Sequence, residues 1–290
     1  KQQLASRIWE SANKMRSKIE ANEYKDYILG FIFYKFLSDK EVEFLKKNDW
    51  EEKDFIELVE EDTETVKQCR NNLGYFISYE NLFSRWLSMG KEFNVSNVTG
   101  ALSAFERLIS DSHKNVFDGI FDTLQTGLTK LGDTSNARTK AISDLIQLIK
   151  DIPMDEKQGY DVLGFIYEYL ISNFAANAGK KAGEFYTPQA VSKILTKIAI
   201  AGQENKKGLS VYDPCMGSGS LLLNAKKYAT EPGYIKYYGQ ELNTSTYNLA
   251  RMNMFLHGIT PENQVLRNGD TLDGDWPTGE ETDFNMVLMN

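Results

Sequence analysis

Apolar residues recur at helical spacing through the first 175 positions. Leu4, Ile8, Met15 and Ile19 mark an opening amphipathic helix. Tyr24 to Leu45 predicts a second helix, apolar on most sides around Phe31 and therefore packed deep in a core. Leu82, Phe83, Trp86 and Leu87 follow an i, i+1, i+4, i+5 pattern that predicts a short helix. Further helical runs cover Val98 to Ile109, Ala137 to Ile149 and Tyr160 to Phe174. The acidic run Glu57, Glu60, Glu61, Asp62 and Glu64 reads as a solvated surface. No internal repeat or low-complexity tract is visible.

The texture changes at Asn173 to Gly183, a stretch of small residues with Lys180-Lys181 that reads as a linker or loop. Beyond it, Val191, Ile194, Leu195 and Ile198 are spaced to form the apolar face of a helix over 188–200. Thr187 suits its N-cap and Pro188 its first turn. Strands then alternate with helices: strand 209–212, helix 219–228, strand 235–240, helix 244–257, and strands at 264–267 and 284–289. Such alternation predicts an α/β domain with a parallel, doubly wound sheet over 176–290, preceded by an all-α domain over 1–175. The last strand is followed only by Asn290, so the sheet is expected to be unfinished and the chain to be part of something longer.

Composition narrows the chemistry. The 290 residues carry a formal charge of −8, which argues against a general polyanion-binding surface. Any work on nucleic acid would use a local patch or a basic partner. Cys69 and Cys215 form no disulfide framework and suit a reducing cytosol. With His113 and His257 the only histidines, no zinc cluster is expected. No secretory signal is visible. The most apolar run, Tyr27 to Leu37, contains Lys35 and is far shorter than the roughly 20 residues of a membrane span.

The loop Asp213-Pro214-Cys215-Met216-Gly217-Ser218-Gly219-Ser220 lies between a predicted strand and helix. Its small residues let a backbone approach a ligand, and a Cβ at Gly219 is expected to invade that ligand. A dinucleotide fingerprint needs a third glycine where Leu222 stands, which weakens a nicotinamide reading. Glu241 ends the second strand, 22 positions after Gly219. An acidic residue at about that distance accepts from ribose hydroxyls, or else sits favourably at a helix N-terminus. Asp270, in Asn268-Gly269-Asp270, either accepts from an adenine amine or belongs to a surface turn. Ligands in such sheets bind at the carboxyl ends of strands, where all these candidates fall.

Taken together, these pieces resemble the DNA adenine-N6 methyltransferases, and the Asp213 to Ser220 loop resembles their S-adenosylmethionine loop. Asn290 stands where the family's Asp/Asn-Pro-Pro-aromatic motif begins. Gly183-Glu184-Phe185-Tyr186-Thr187-Pro188-Gln189 resembles the first motif, which closes over the methionine end of the cofactor. Its position ahead of Asp213 is the order of the modification subunits of type I restriction-modification systems. Tyr238 to Asn243, Asn248 to Met254 and Leu29 to Ser38 look typical of that subunit as well.

The resemblance implies a Rossmann-like methyltransferase sheet and methyl transfer from S-adenosylmethionine to adenine N6 in DNA, without a metal. It assigns Asn290 to catalysis. It assigns Glu184, Phe185, Tyr186, Thr187, Pro188, Gln189, Asp213, Gly217, Ser218, Gly219, Ser220, Glu241 and Asp270 to the cofactor. It also implies a cytoplasmic complex with DNA, in which two modification subunits clamp the duplex with one specificity subunit that chooses the sequence. A restriction/translocase subunit is a further implied partner, and the helical domain serves subunit and DNA contacts. A stand-alone adenine methylase, a protein-glutamine or RNA methyltransferase, and a non-catalytic scaffold are the rival readings.

Overall fold

The computed structural model describes residues 2–15, 20–154, 159–177, 186–273 and 283–290. Its contacts divide the chain into two compact units, Gln2–Leu163 and Gly164–Asn290. The division falls inside a helix, ahead of the break that composition suggested at 175/176.

The first unit is helical: α1 (Gln2–Met15), α2 (Ala21–Lys47), α3 (Thr63–Asn72), α4 (Phe83–Ser88), α5 (Val95–Arg107), α6 (Lys114–Phe117), α7 (Asp122–Gly127) and α8 (Ser135–Ile149). Every residue of α2 from Tyr27 to Leu37 is buried, as a helix apolar on all sides requires. Tyr34 at its centre stacks on Trp86 with ring centroids 4.8 Å apart, and its hydroxyl donates to the Asn81 carbonyl at 3.0 Å. The acidic run is mostly solvated, with two local tasks. Asp62 caps α3 by accepting from Thr65 N, and Glu60 pairs with Arg107.

The next helix, α9, spans Gly159–Asn177, so helix continues into the stretch expected to be a linker. The second unit then contains α10 (Gln189–Ile200), β1 (Ser210–Asp213), α11 (Ser220–Leu223), β2 (Lys236–Glu241), α12 (Thr244–Leu256), β3 (Gln264–Asn268) and β4 (Met286–Val287). The four strands are parallel in the order β3-β2-β1-β4. The chain reverses direction across the sheet at β1, so a crevice opens at the carboxyl ends of β1 and β4. The doubly wound sheet expected from the alternation is therefore present. One core joins Val211, Tyr237, Met286 and Leu288 of the strand segments to Leu221, Leu222, Ala250 and Met254 of the helices.

Three local expectations are corrected. The helix after β1 is a single α-turn followed by a 3-10 turn over Asn224–Lys227, not a continuous helix over 219–228. Pro188, not Thr187, is the N-cap of α10, and its carbonyl accepts from Val191 N and Ser192 N. The α10 face is also turned: Val191, Ile194 and Ile198 are 43%, 60% and 70% exposed, while Ser192 and Thr196 are fully buried. Their hydroxyls are satisfied there, Ser192 by the Asn224 amide and Thr196 by the Ser192 carbonyl at 2.8 Å. Small, hydrogen-bonded side chains thus take the buried face, and of the expected stripe only Leu195 packs against the core.

Candidate active site

The loop after β1 is built onto the end of β2. Met216 N donates to the Gln240 carbonyl at 2.9 Å, and the Met216 side chain lies over Gly239. A Cβ on Gly239 would sit 2.4 Å from the Met216 sulfur, so only glycine lets the loop lie this close to the strand. Gly217 and Gly219 take φ values of +56° and +77° to complete the turn, a region that glycine enters without steric cost. The Cβ position of Gly219 faces Met254 Cε at 3.4 Å and Ala250 Cβ at 3.7 Å. A side chain there would meet α12.

Two carboxylates anchor this loop. Asp213 is buried at the end of β1 and accepts from Cys215 N at 3.0 Å. Burial, reinforced by the nearby Glu241 charge, raises its pKa to about 7. Glu241, half-buried at the end of β2, accepts from Gly217 N at 3.1 Å through one oxygen and from Asn243 N at 2.8 Å through the other. Each carboxylate oxygen has a second lone pair, so Glu241 keeps acceptor capacity for a hydroxyl. At the end of β3, Asp270 is exposed and its Oδ1 accepts from Leu272 N at 2.9 Å, closing a turn. The neighbouring Thr271 hydroxyl donates to the Pro214 carbonyl, which ties the β3 end to the loop.

Asn290 follows β4 and meets two of the other segments. Its Nδ2 donates to Thr187 Oγ1 at 3.2 Å, and its carbonyl lies 3.6 Å from Cys215 Sγ. Thr187, expected as a helix cap, therefore faces the end of β4. Tyr186 is half-buried; burial and the charge of Glu168 push its phenol up to about 12, and Gln189 and Ser172 hydrogen-bond it. Glu184 and Phe185 lie outside the described residues.

Sequence reasoning missed Glu168, on α9. Its carboxylate accepts from Ser220 Oγ at 2.8 Å, Asn253 Nδ2 at 2.6 Å and Gln189 Nε2 at 3.1 Å. Ser220 thus turns its hydroxyl inward, where Ser218 Oγ also meets it at 2.9 Å. The only signal in the sequence is an acidic residue on the helix face that also carries Gly164 and Ile171. Among the described residues no group of His, Cys, Asp and Glu could hold a metal ion, and no helix is long and apolar enough to cross a membrane.

Residues 4–149 match the model of the HsdM N-terminal domain, and residues 158–290 match that of the N-6 DNA methylase family. The chain belongs to the methylase-subunit family of type I restriction-modification systems. This type I methylase-subunit chain is 34% identical to the type I restriction enzyme MpnII methylase subunit of Mycoplasma pneumoniae, across 99% of its own length and 57% of the relative's. The type I restriction-modification methyltransferase subunit from Streptococcus thermophilus superposes with a TM-score of 0.88 at 40% identity, covering 100% of this chain and 63% of that one. A modification subunit of a putative type I restriction enzyme from Vibrio vulnificus shares the fold, with a TM-score of 0.54 at 20% identity over 94% of this chain and 56% of that one. The chain thus spans less than two thirds of the length of each.

Proposed function

We propose that this methylase-subunit chain carries the cofactor-binding half of an enzyme that transfers a methyl group from S-adenosylmethionine to N6 of adenine in DNA. The observation that carries this reading is the hydrogen bond between Asn290 and Thr187. With Nδ2 donating to the threonine hydroxyl, the Asn290 amide is oriented so that Oδ1 is left as an acceptor at the carboxyl end of β4. An exocyclic amine has hydrogens to donate to such an oxygen.

S-adenosylmethionine, when bound, supplies a methyl group on a positively charged sulfur. The residues present fit that group. The Asp213 to Ser220 loop lies closely on β2, Glu241 retains lone pairs for ribose hydroxyls, and Asp270 stands exposed at the next strand end for an adenine amine. Gln189, at the start of α10, donates to Glu168, which also holds Ser220 at the end of the same loop, and the Tyr186 phenol feels the Glu168 charge. Asn290 Oδ1 accepts from the target amine and favours a pyramidal nitrogen whose lone pair is available. A preorganised acceptor also stabilises positive charge developing on that nitrogen in the transition state. No acid–base dyad or metal is needed. A base in duplex DNA is rotated out of the stack first, at a cost of a few kcal/mol.

Sequence choice is assigned to a separate specificity subunit, with two modification subunits to one specificity subunit. A restriction/translocase subunit completes the system, and the cytoplasm is its place. The net charge of −8 supports this division of labour, because a self-sufficient DNA reader carries a basic stripe. The test is transfer of labelled methyl from S-adenosylmethionine to DNA by the full-length protein, with and without the specificity subunit of its operon. N6-methyladenine formed only with the partner is the expected result. Cofactor binding without any transfer to DNA would move the substrate to protein or RNA. Asn290→Ala is expected to keep cofactor binding and lose at least about a hundredfold in turnover; an unchanged turnover number would remove Asn290 from catalysis.

A further inference from the structure

Glu168 sits at the meeting point of four segments of the second unit. It projects from α9 and accepts from Ser220 at the first residue of α11, from Asn253 on α12 and from Gln189 at the start of α10. Asn253 Nδ2 reaches the Ser218 carbonyl as well, at 3.0 Å, so a single amide holds the carboxylate and the loop backbone together. That amide spends its donor side on two acceptors and leaves its own buried Oδ1 without a partner. An unpaired buried acceptor costs about 1–3 kcal/mol. The arrangement tolerates that cost while keeping the carboxylate against the loop.

The position of Glu168 is itself fixed by packing. Gly164, one turn earlier on α9, lies against the half-buried His257, and a Cβ there would come within 2.8 Å of Nε2. Tyr167 donates its hydroxyl to Met252 Sδ at 3.3 Å. Three contacts from one helix face, two to α12 and one to His257 that caps it, therefore set the carboxylate in place before any ligand arrives. The hydroxyls and amides around it are uncharged donors, and bonds from such groups to a carboxylate are stronger than neutral pairs.

We infer that Glu168 is a positioning residue for the cofactor loop: it locks the Gly217–Gly219 turn to the Tyr186–Gln189 segment so that both present one preformed surface. The inference rests on the reading of that loop as the S-adenosylmethionine site. It also accounts for Ser220, whose hydroxyl is committed to the carboxylate and so serves the loop instead of the ligand.

The test is titration of S-adenosylmethionine into the full-length protein and into its Glu168→Ala, Glu168→Gln and Ser220→Ala variants, with thermal melting of each in the ligand-free state. Glu168→Ala is expected to raise the dissociation constant about tenfold. Glu168→Gln keeps the shape, but its amide turns one acceptor into a donor facing either the Asn253 or the Gln189 amide, which donate to different carboxylate oxygens, and a rise of severalfold is expected. Combining Glu168→Ala with Ser220→Ala should cost no more than Glu168→Ala alone, because both remove the same clamp. At saturating cofactor and DNA, turnover should stay within about twofold while KM for the cofactor rises, a split that partial unfolding does not produce. Wild-type affinity in a folded Glu168→Gln variant would overturn the role of Glu168 alone. Failure of the wild-type protein to bind the cofactor would instead overturn the reading of the loop.

Discussion

Gly219 carries a positive φ and a Cβ direction that faces α12. A branched residue there must hold a left-handed backbone, at about 1–2 kcal/mol, and drive methyl groups toward Met254. Gly219→Val is therefore expected to lower the melting temperature of the second unit together with its affinity for S-adenosylmethionine; lost affinity with an unchanged melt would identify direct collision with the ligand as the cause. Asp213 gives the residue scale a second prediction. Its pKa rises from 3.8 to about 7 on folding, so between those values the native state holds a proton that the unfolded chain has released. The stability contribution is complete below pH 3.8 and is lost as pH rises through about 7. Asp213→Asn should flatten that falling limb by an amount on the order of a few kcal/mol, read by denaturant titration at acid and neutral pH. Equal pH slopes in variant and wild type would show that Asp213 does not titrate in this window. Asp213, Glu241 and Asn290 were legible as candidates because they sit at ends of predicted strands. Glu168 was not, because its partners Ser220 and Asn253 lie 52 and 85 positions away in the chain.

At the scale of elements, periodicity fixed the existence of α10 but not its orientation. The apolar stripe at i, i+3, i+4, i+7 was a sound helix signal, yet Ser192 and Thr196 take the buried face. Apolar periodicity counts a hydroxyl as polar, whereas a buried hydroxyl with a partner costs little. The sheet was more legible, since strands of β-branched and aromatic residues alternating with helices leave few topologies. The single turn of α11 was hidden because Leu221, Leu222 and Leu223 read as helix whether or not the helix continues. The α9–α12 contact supplies an element-scale prediction. Gly164→Val crowds the His257 ring and should destabilise the second unit by about 1–3 kcal/mol, seen as a lower denaturation midpoint. An unchanged midpoint would mean that the two helices separate without cost.

On the scale of the whole molecule, the chain is two compact units with a net negative formal charge. The proposed function asks the second unit to hold a cofactor and, with partners, to meet DNA. These two tasks respond differently to ionic strength. Contacts between cationic partners and phosphates weaken steeply as salt rises, because bound counterions are no longer released at a profit in entropy. The Glu168 clamp is a half-buried carboxylate held by the buried Ser220 hydroxyl and Asn253 amide, with the exposed Gln189 amide at its edge, and mobile ions at a screening length of about 8 Å reach its buried part poorly. Added salt thus becomes a means of separating the two ligands of the same enzyme. A concentration should exist at which DNA has been shed and the cofactor is still held, so the intermediate with cofactor alone can be populated without a mutation.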